Sequence, residues 1–281
     1  MMVVSATMVS TAGLIFRSLN PIDAFEVVFF RGLALTLTMI VIISLFYKNR
    51  ALKATKGIGF SGLLGAAFFT SAQTFYVFAF SNTTVANSTF TIATAPFITA
   101  LLAWLVLKET ISKVTIIAMA SACFGVITIV LADVSAEGTL GIAFAFLTAC
   151  SFSCFAVILR HNKNVEMLPV LFFTGIISMC VGLVFGEWNG MPLVSDIALC
   201  FLWGGVLQGV GQSLLVLSTK VLKAAEVPLI MLLEFTLGPV WVWLIYGENI
   251  SLGTLFGGSL IFASIFGFAF FEINKRKIVK N

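Results

Sequence analysis

KAAEVPLIMLLEFTLGPVWVWLIYGE, residues 223–248, is the stretch from which the fold can be read. It is apolar over the roughly 20 residues that a helix needs to cross a hydrocarbon core of about 30 Å. Glu234 lies about 16 Å along a helix that begins at Lys223, and therefore near the middle of the bilayer. An ionisable group at that depth is costly unless it is neutral, paired or facing water. The stretch predicts a membrane helix that lines a polar cavity, with a structural hydrogen bond from protonated Glu234 as the alternative.

The whole chain has the composition of an integral membrane protein. Its 281 residues are 60% hydrophobic and 10% charged, which no water-soluble domain of this length shows. Ten apolar segments are bounded by charges or turn residues, and we number them spans 1 to 10. They cover residues 2–16, 24–47, 58–80, 85–107, 114–131, 140–159, 167–185, 197–218, 222–246 and 252–271. We expect span 1 to be a membrane helix rather than a cleaved signal peptide, because no basic leader precedes it.

The basic residues predict the orientation of the chain. All of the 16 Lys and Arg residues except Arg17 and Arg31 fall in alternate loops or in the C-terminal tail. Because positively charged loops stay in the cytoplasm, both termini are expected there. A bacterial inner membrane is the expected location. The positive charge lies in short loops, so it does not indicate a nucleic-acid partner.

The second half of the chain repeats the first. IFRSLNPIDAFEVVFFRGL from residue 15 aligns with ILRHNKNVEMLPVLFFTGI from residue 158, and KETIS from residue 108 aligns with GENIS from residue 247. We predict two five-helix repeats, at residues 1–133 and 138–274, followed by a basic cytoplasmic tail at 275–281. Because five is odd, the repeats enter the membrane from opposite sides. Inverted repeats of this kind permit alternating access to a site near the midplane.

These features resemble the EamA family of the drug/metabolite transporter superfamily, which contains ten-helix carriers built from two inverted repeats. The resemblance rests on Arg31 in FFRG of span 2 and on PFITALLAWLVLKETIS, where Glu109 follows Pro96 by thirteen residues. A second copy of the latter signature runs from Glu234 to Glu248. The resemblance implies an all-α membrane protein that transports amino acids, other metabolites, nucleotide-related compounds or drugs, with export as the typical direction.

One position departs from the family pattern. The second signature normally has proline directly after the glutamate, whereas Phe235 follows Glu234 here and Pro239 comes about one turn later. Proline removes a backbone donor and tends to break a helix. We therefore expect the break in span 9 to be displaced toward the outer side.

Arg31 and Glu234 are the charged residues that we place at a substrate site. Arg31 lies about 12 Å along span 2 when Asp23 is taken as its start, and Glu234 reaches a similar depth from the opposite side. We expect them across one cavity, either as an ion pair or as a clamp on the carboxylate and amine of a zwitterionic substrate. The alternative for Arg31 is that it caps a carbonyl or snorkels outward beside Glu26.

Uncharged polar side chains form a second set of candidates. Gln208 and Gln212 share one face of span 8, and Gln73 and Tyr76 share one face of span 3. Amides bridge membrane helices as readily as they bind ligands, so both roles stay open.

Three further residues complete the predicted substrate site. Asn87 and Glu226 are repeat mates, and Glu226 is either a proton-sensitive entry group or a favourable charge near a helix start. Trp241 either lines the cavity or belongs to an interfacial aromatic belt. We assign Glu109 and Glu248 to tight turns, because each precedes by three residues a serine that can cap the next helix.

We therefore predict a carrier that exports a small polar or amphipathic metabolite, such as an amino acid or a related compound, by alternating access. The alternatives are a proton-coupled multidrug exporter and a transporter of nucleotide-related metabolites such as S-adenosylmethionine or nucleotide sugars. The expected partners are a small-molecule substrate and the lipid bilayer, with a coupling proton left open. Both a monomer and a homodimer are compatible with the sequence.

An enzyme or a channel has less support. The chain has no HExxH motif, no paired intramembrane aspartates and no serine–histidine set, and it lacks the charged ring or carbonyl loop of a channel. Cys150 and Cys154 share a helix face, but the single histidine, His161, lies in a loop. We expect no metal and no cofactor.

Overall fold

The computed structural model describes residues 2–108, 112–132, 136–162, 165–188, 190–219 and 226–280, and regular structure in these ranges is entirely helical. Within these ranges, seven helical segments, some of them interrupted, are long and apolar enough to cross a membrane, and three shorter apolar segments accompany them. The seven are Ala24–Gly57, Gly59–Asn82, Val85–Leu107, Lys113–Ala132, Gly138–His161, Val194–Leu217 and Leu252–Phe271, and the three are Val3–Ser18, Val170–Phe185 and Leu233–Tyr246. The predicted all-α membrane architecture is confirmed.

Six spans are single helices over their described residues. They are span 2 at Ala24–Tyr47, span 3 at Gly59–Asn82, span 5 at Lys113–Ala132, span 6 at Ala136–His161, span 7 at Val170–Phe185 and span 10 at Leu252–Lys280. A 3₁₀ turn at Lys48–Arg50 and a short helix at Ala51–Gly57 join spans 2 and 3. Side-chain oxygens satisfy backbone N–H groups at several starts: Asp23 for span 2, and Ser112 and Ser251, as predicted, for spans 5 and 10.

Three spans are interrupted. Span 1 consists of Met2–Ser10 and Ala12–Ser18, and span 4 consists of Val85–Ile92 and Ala95–Leu107. Span 8 begins as Val194–Phe201, widens into a π-helix at Leu202–Val210 and ends as Gly211–Thr219. The interruptions place irregular backbone inside the bundle, where neighbouring spans rather than lipid surround it.

Span 9 differs from the prediction. It forms one helix, Glu226–Tyr246, that continues through Pro239, so the expected break near this proline is wrong. Proline removes one N–H from the helix, but no water is present in a bilayer core to satisfy the carbonyls that a full break would free. Packing also holds this part of the helix, since Phe235 and Val242 are buried on either side of the proline.

The loops gather at two ends of the bundle. At the first, which we call the Arg17 end (residues 17–23, 82–85, 186–188, 190–196 and 246–251), the Ser18 hydroxyl contacts the Tyr246 hydroxyl and the Asn20 amide donates to Asp196. At the second, the Tyr47 end (residues 47–58, 161–162 and 165–169), the Tyr47 hydroxyl donates to Glu166. Among the loops described at these two ends, the one that carries Lys48, Arg50, Lys53 and Lys56 lies at the Tyr47 end, apart from Arg17, as the charge count predicts. Which end faces the cytoplasm stays a prediction.

The pairing of spans repeats between the two halves. Spans 2 and 7 pack together, as do spans 5 and 10 and spans 4 and 9. Three other pairs of spans each have a matching pair. Spans 3 and 6 pack together, and so do spans 8 and 1. Spans 4 and 6 correspond in this way to spans 9 and 1, and spans 3 and 7 correspond to spans 8 and 2. Each of these pairings therefore has a counterpart five spans along the chain, which is what a duplicated chain predicts. The boundaries and the inversion of the repeats stay predictions.

Candidate functional site

Arg31 is buried near the middle of the bundle with only 4% of its surface exposed. One terminal nitrogen of its guanidinium donates to Gln73 Oε1 and to Gln208 Oε1, each at 2.8 Å. Trp203 lies under the guanidinium, whose central carbon is 3.6 Å from the centre of the indole ring. Arg31 therefore does not snorkel outward beside Glu26. Its partners are two neutral amides and an aromatic face, which orient the cation without cancelling its charge.

The wide turn of span 8 makes this arrangement possible. Within the π-helix, Gly204 lies against span 2 so closely that an added Cβ would overlap the carbonyl oxygen of Arg31 and lie 2.7 Å from its Cα. Only glycine permits two backbones to approach in this way. The π-helix places Trp203 and Gln208, on either side of this contact, against the same guanidinium. π-Turns inside α-helices often mark functional sites.

A cavity with a volume of about 70 Å³ lies beside Arg31. Six of the predicted site residues line it: Arg31, Gln73, Tyr76, Gln208, Gln212 and Glu234. The rest of the wall is largely apolar and aromatic, and comes from Val9, Ala12, Phe69, Ala72, Ile92, Ala95, Thr148, Phe152, Trp203, Leu207, Met231 and Phe235. Small-molecule sites in proteins commonly have this mixture of an apolar wall with a few convergent polar groups.

The two charged residues of the cavity do not neutralise each other. Among the described residues, no carboxylate lies within 4.0 Å of the Arg31 guanidinium, and no hydrogen bond or ion pair holds the Glu234 carboxylate. In addition, the Arg31 Nε is buried and has no hydrogen-bond partner in the described part of the chain. A buried cation without a counter-charge is costly. The predicted ion pair is therefore not formed, and both side chains are left for other partners.

Two predicted site residues do not line the cavity. The Asn87 amide donates to the Thr83 hydroxyl at 3.0 Å and accepts from the Thr254 hydroxyl at 2.7 Å, so it joins span 4 to span 10. The Trp241 indole donates to the Ser10 hydroxyl at 3.1 Å and joins span 9 to span 1. Their polarity is used in helix packing, which periodicity alone does not distinguish from ligand binding.

Three further glutamates were assigned from the sequence, and the structure describes the side chain of one of them, Glu248. The side chain of Glu226 and the whole of Glu109 lie outside the described residues. Glu248, which we assigned to a tight turn, contacts two other spans: its carboxylate accepts from Arg17 Nε at 2.9 Å and from the backbone N–H of Val85 at 2.7 Å. The assignment to a local turn is incomplete, because a loop between neighbouring spans can also contact spans that are distant in sequence.

Sequence reasoning missed the aromatic part of the wall. Trp203 forms the face on which Arg31 rests, while Phe69 and Phe152 line the cavity from spans 3 and 6. The chain has 29 phenylalanines, so composition does not separate these two from lipid-facing ones. The available signal was the neighbourhood of Trp203, which is followed by two glycines and lies five residues before Gln208.

Comparisons with known proteins agree with this architecture. The chain is 26% identical over 277 residues to an "Uncharacterized transporter" of Clostridium kluyveri, covering 92% of this chain and 86% of that protein. It is 24% identical over 275 residues to "Solute carrier family 35 member G1" of Mus musculus, covering 92% and 74%. A crystal structure with 16% sequence identity has the same fold, with a TM-score of 0.67 over 94% of this chain and 93% of the other.

The family comparison covers nearly the whole chain. The model of the EamA-like transporter family matches twice, at residues 1–131 and 139–270. The two matched ranges lie on either side of the connection between spans 5 and 6. The chain is thus an integral membrane transporter and belongs to the EamA-like transporter family.

Proposed function

We propose that this transporter carries a small zwitterionic metabolite, such as an amino acid or a related compound, and that Arg31 binds its carboxylate while Glu234 binds its amine. The single observation that carries the proposal is that these two side chains line one cavity without pairing with each other. Export is the expected direction. The site is exposed to each side of the membrane in turn, as the predicted inverted repeats allow.

The surroundings of Arg31 support an anionic ligand group. Gln73 and Gln208 together use one terminal nitrogen of the guanidinium, which leaves its other donors for a ligand. A carboxylate supplied by the substrate compensates the buried charge, and the surrounding low dielectric strengthens the contact. The apolar wall, which includes Phe69, Phe152 and Phe235, accommodates an aliphatic or aromatic substituent.

The proposal can be tested with three matched ligands. For each amino acid, the free form, the carboxamide and the N-acetyl derivative are added to the purified protein, and affinity is measured by thermal stabilisation or calorimetry. A ligand that binds the folded state preferentially raises the unfolding temperature. We expect removal of either charge to weaken binding to the wild type by about tenfold or more, since a hydrogen bond to a charged group contributes about 1.5–3 kcal/mol.

Two variants, Arg31→Gln and Glu234→Gln, show which residue binds which charged group of the ligand. In Arg31→Gln, amidation of the carboxylate should no longer weaken binding, whereas acetylation of the amine should still do so; in Glu234→Gln the pattern should be reversed. Trp241→Phe is the matched control, because Trp241 does not line the cavity. If both variants keep the wild-type discrimination between the three ligands, the assignment of the carboxylate and the amine is refuted.

Multidrug transport is the second candidate, and the apolar and aromatic wall is the observation that favours it. A lipophilic cation would use Glu234 and the aromatic side chains but would be repelled by Arg31. It should therefore bind Arg31→Gln at least as well as the wild type, whereas an amino acid should lose affinity. Counterflow in proteoliposomes, in which trapped unlabelled ligand accelerates uptake of labelled ligand, then establishes that the bound compound is carried.

A further inference from the structure

Arg17 and Glu248 join four parts of the chain at the Arg17 end. Arg17 Nε donates to Glu248 Oε2 at 2.9 Å, and a terminal nitrogen of Arg17 donates to the backbone oxygen of Thr83 at 2.9 Å. The other carboxylate oxygen of Glu248 accepts from the backbone N–H of Val85 at 2.7 Å. The pair therefore connects the end of span 1, the turn between spans 3 and 4, the start of span 4 and the loop after span 9.

Aromatic rings form a layer directly beneath this ion pair. Phe16 lies under the Arg17 guanidinium, at 5.9 Å from its ring centre, and packs against Phe80 at 5.7 Å and Trp203 at 6.2 Å. Tyr76 packs against Phe80 at 4.4 Å, and Phe80 is completely buried. The four rings come from spans 1, 3 and 8.

The order of residues along span 3 relates this layer to the cavity. Gln73 and Tyr76 line the cavity, Phe80 lies one turn beyond Tyr76, and Thr83 accepts the hydrogen bond from Arg17 just past the end of the helix. The aromatic layer therefore separates the cavity from the Arg17 end, and the ion pair lies on the far side of it. The aromatic layer and the ion pair between Arg17 and Glu248 must both open before a ligand could leave the cavity in this direction.

We propose that Arg17 and Glu248 form the gate of the transporter at the Arg17 end, with Phe16, Phe80 and Trp203 as its inner layer. The inference deepens the proposed function and rests on it. Arg17, Thr83 and Val85 belong to the predicted first repeat, whereas Glu248 belongs to the second. Movement of the loop after span 9 away from the end of span 1 and the start of span 4 separates these contacts and opens the cavity to this side.

The contact between Trp203 and Arg31 places the gate next to the ligand. Trp203 packs with Phe16 on one side and supports the Arg31 guanidinium at 3.6 Å on the other. One side chain thus belongs both to the inner layer of the gate and to the binding site. The indole ring of Trp203 is therefore in contact both with the inner layer of the gate and with the side chain that binds the carboxylate.

The test measures access to the cavity from each side of the membrane. The five cysteines, Cys123, Cys150, Cys154, Cys180 and Cys200, are first replaced. A reporter, Ala12→Cys, is then introduced in the cavity wall and reacted with a membrane-impermeant maleimide in sealed cells and in inverted vesicles. Met191→Cys marks the Arg17 end and Lys53→Cys marks the Tyr47 end, because both residues are exposed.

We expect the reporter to react slowly from the Arg17 end when the ion pair is intact. Arg17→Gln and Glu248→Gln should each accelerate the reaction from this side by about tenfold, the change produced when a two-state equilibrium loses roughly 1.4 kcal/mol. The exchanged pair, Arg17→Glu with Glu248→Arg, should restore slow labelling only in part, because a glutamate at position 17 cannot donate to the Thr83 carbonyl oxygen and an arginine at position 248 cannot accept from the Val85 N–H. Tyr47→Phe is the matched control: it removes a contact between spans at the opposite end, and it should not accelerate labelling from the Arg17 end.

The outcomes separate this proposal from the substrate assignment. Folding of each variant is checked by size-exclusion chromatography, and Phe16→Ala replaces a variant that fails to fold. Unchanged labelling from the Arg17 end in folded Glu248→Gln or Phe16→Ala overturns the gate, even if zwitterions bind as proposed. Accelerated labelling that the exchanged pair reverses in part supports the gate, even if the three matched ligands refute the roles of Arg31 and Glu234.

Discussion

Gly204→Ala tests the close approach of span 8 to Arg31. The added Cβ would overlap the Arg31 carbonyl oxygen and lie 2.7 Å from the Arg31 Cα. The nearest atoms are all backbone atoms, so no side-chain rotation can relieve the overlap. The two backbones must separate by about 1 Å to restore an ordinary contact distance of about 3.5–4.0 Å.

The expected fall in the free energy of unfolding follows from this separation of the two backbones. Inserting a methyl group into a packed contact costs about 1–3 kcal/mol, while replacing glycine by alanine in a helix returns about 0.5–1 kcal/mol. The hydrogen bond from Arg31 to Gln208 is 2.8 Å long, and a lengthening of about 1 Å breaks it. A charged hydrogen bond contributes about 1.5–3 kcal/mol. We therefore expect the free energy of unfolding to fall by about 2–4 kcal/mol.

The assay is unfolding by SDS in mixed micelles, together with ligand affinity measured by calorimetry. Gly267→Ala is the matched control, because it lies in span 10 and an added Cβ there would meet no atom within 4 Å. We expect this control to be as stable as the wild type or slightly more stable. The reasoning is refuted if Gly204→Ala behaves like Gly267→Ala in stability and in affinity.

Three further substitutions test the assignment of polar and small residues to packing. Asn87→Ala should lower the free energy of unfolding by about 1–2 kcal/mol through loss of the contact with Thr254, with ligand affinity unchanged by calorimetry. Trp241→Phe should cost about 0.5–1.5 kcal/mol through loss of the hydrogen bond to Ser10, and a change in the KM for transport would contradict its placement outside the cavity. Gly257→Ala should cost about 1–3 kcal/mol in SDS unfolding, since its Cβ would lie 2.5 Å from a backbone oxygen of span 5; a stable variant would argue against the tight packing of spans 5 and 10.

Much of the fold could be predicted from the sequence because a bilayer imposes simple constraints on a chain. The length of each apolar segment predicts the spans, and the alternation of lysine-rich loops predicts the grouping of loops at two ends. The break in span 9 was predicted wrongly because a single proline does not decide the path of a helix. The interruption of span 8 depends on the fit of Gly204 against span 2, and such a contact between distant segments has no local signature.

The candidate site was predictable to a similar extent. Arg31 and Glu234 stand out because charges are rare inside membrane spans, and six of the predicted residues line one cavity. Asn87 was included as the repeat mate of Glu226, and Trp241 as an aromatic side chain that could line the cavity, yet their polar groups serve contacts between spans. The pairing of Arg17 with Glu248, 231 residues apart, depends on how the halves pack, so neither residue could be recognised from its own neighbours.

The unpaired charges of the cavity also bear on how the transporter responds to the membrane potential. With both side chains ionised, Arg31 and Glu234 contribute no net charge, and a zwitterion adds none. The resident charges return to their starting positions in each transport cycle, so the voltage does net work only on the charge that is carried across. A monovalent anion in the same cavity would instead couple to the voltage by about 2.3 kcal/mol per 100 mV. The proposed zwitterion carries no net charge, so its transport without an accompanying ion would be electroneutral and driven by its concentration gradient alone.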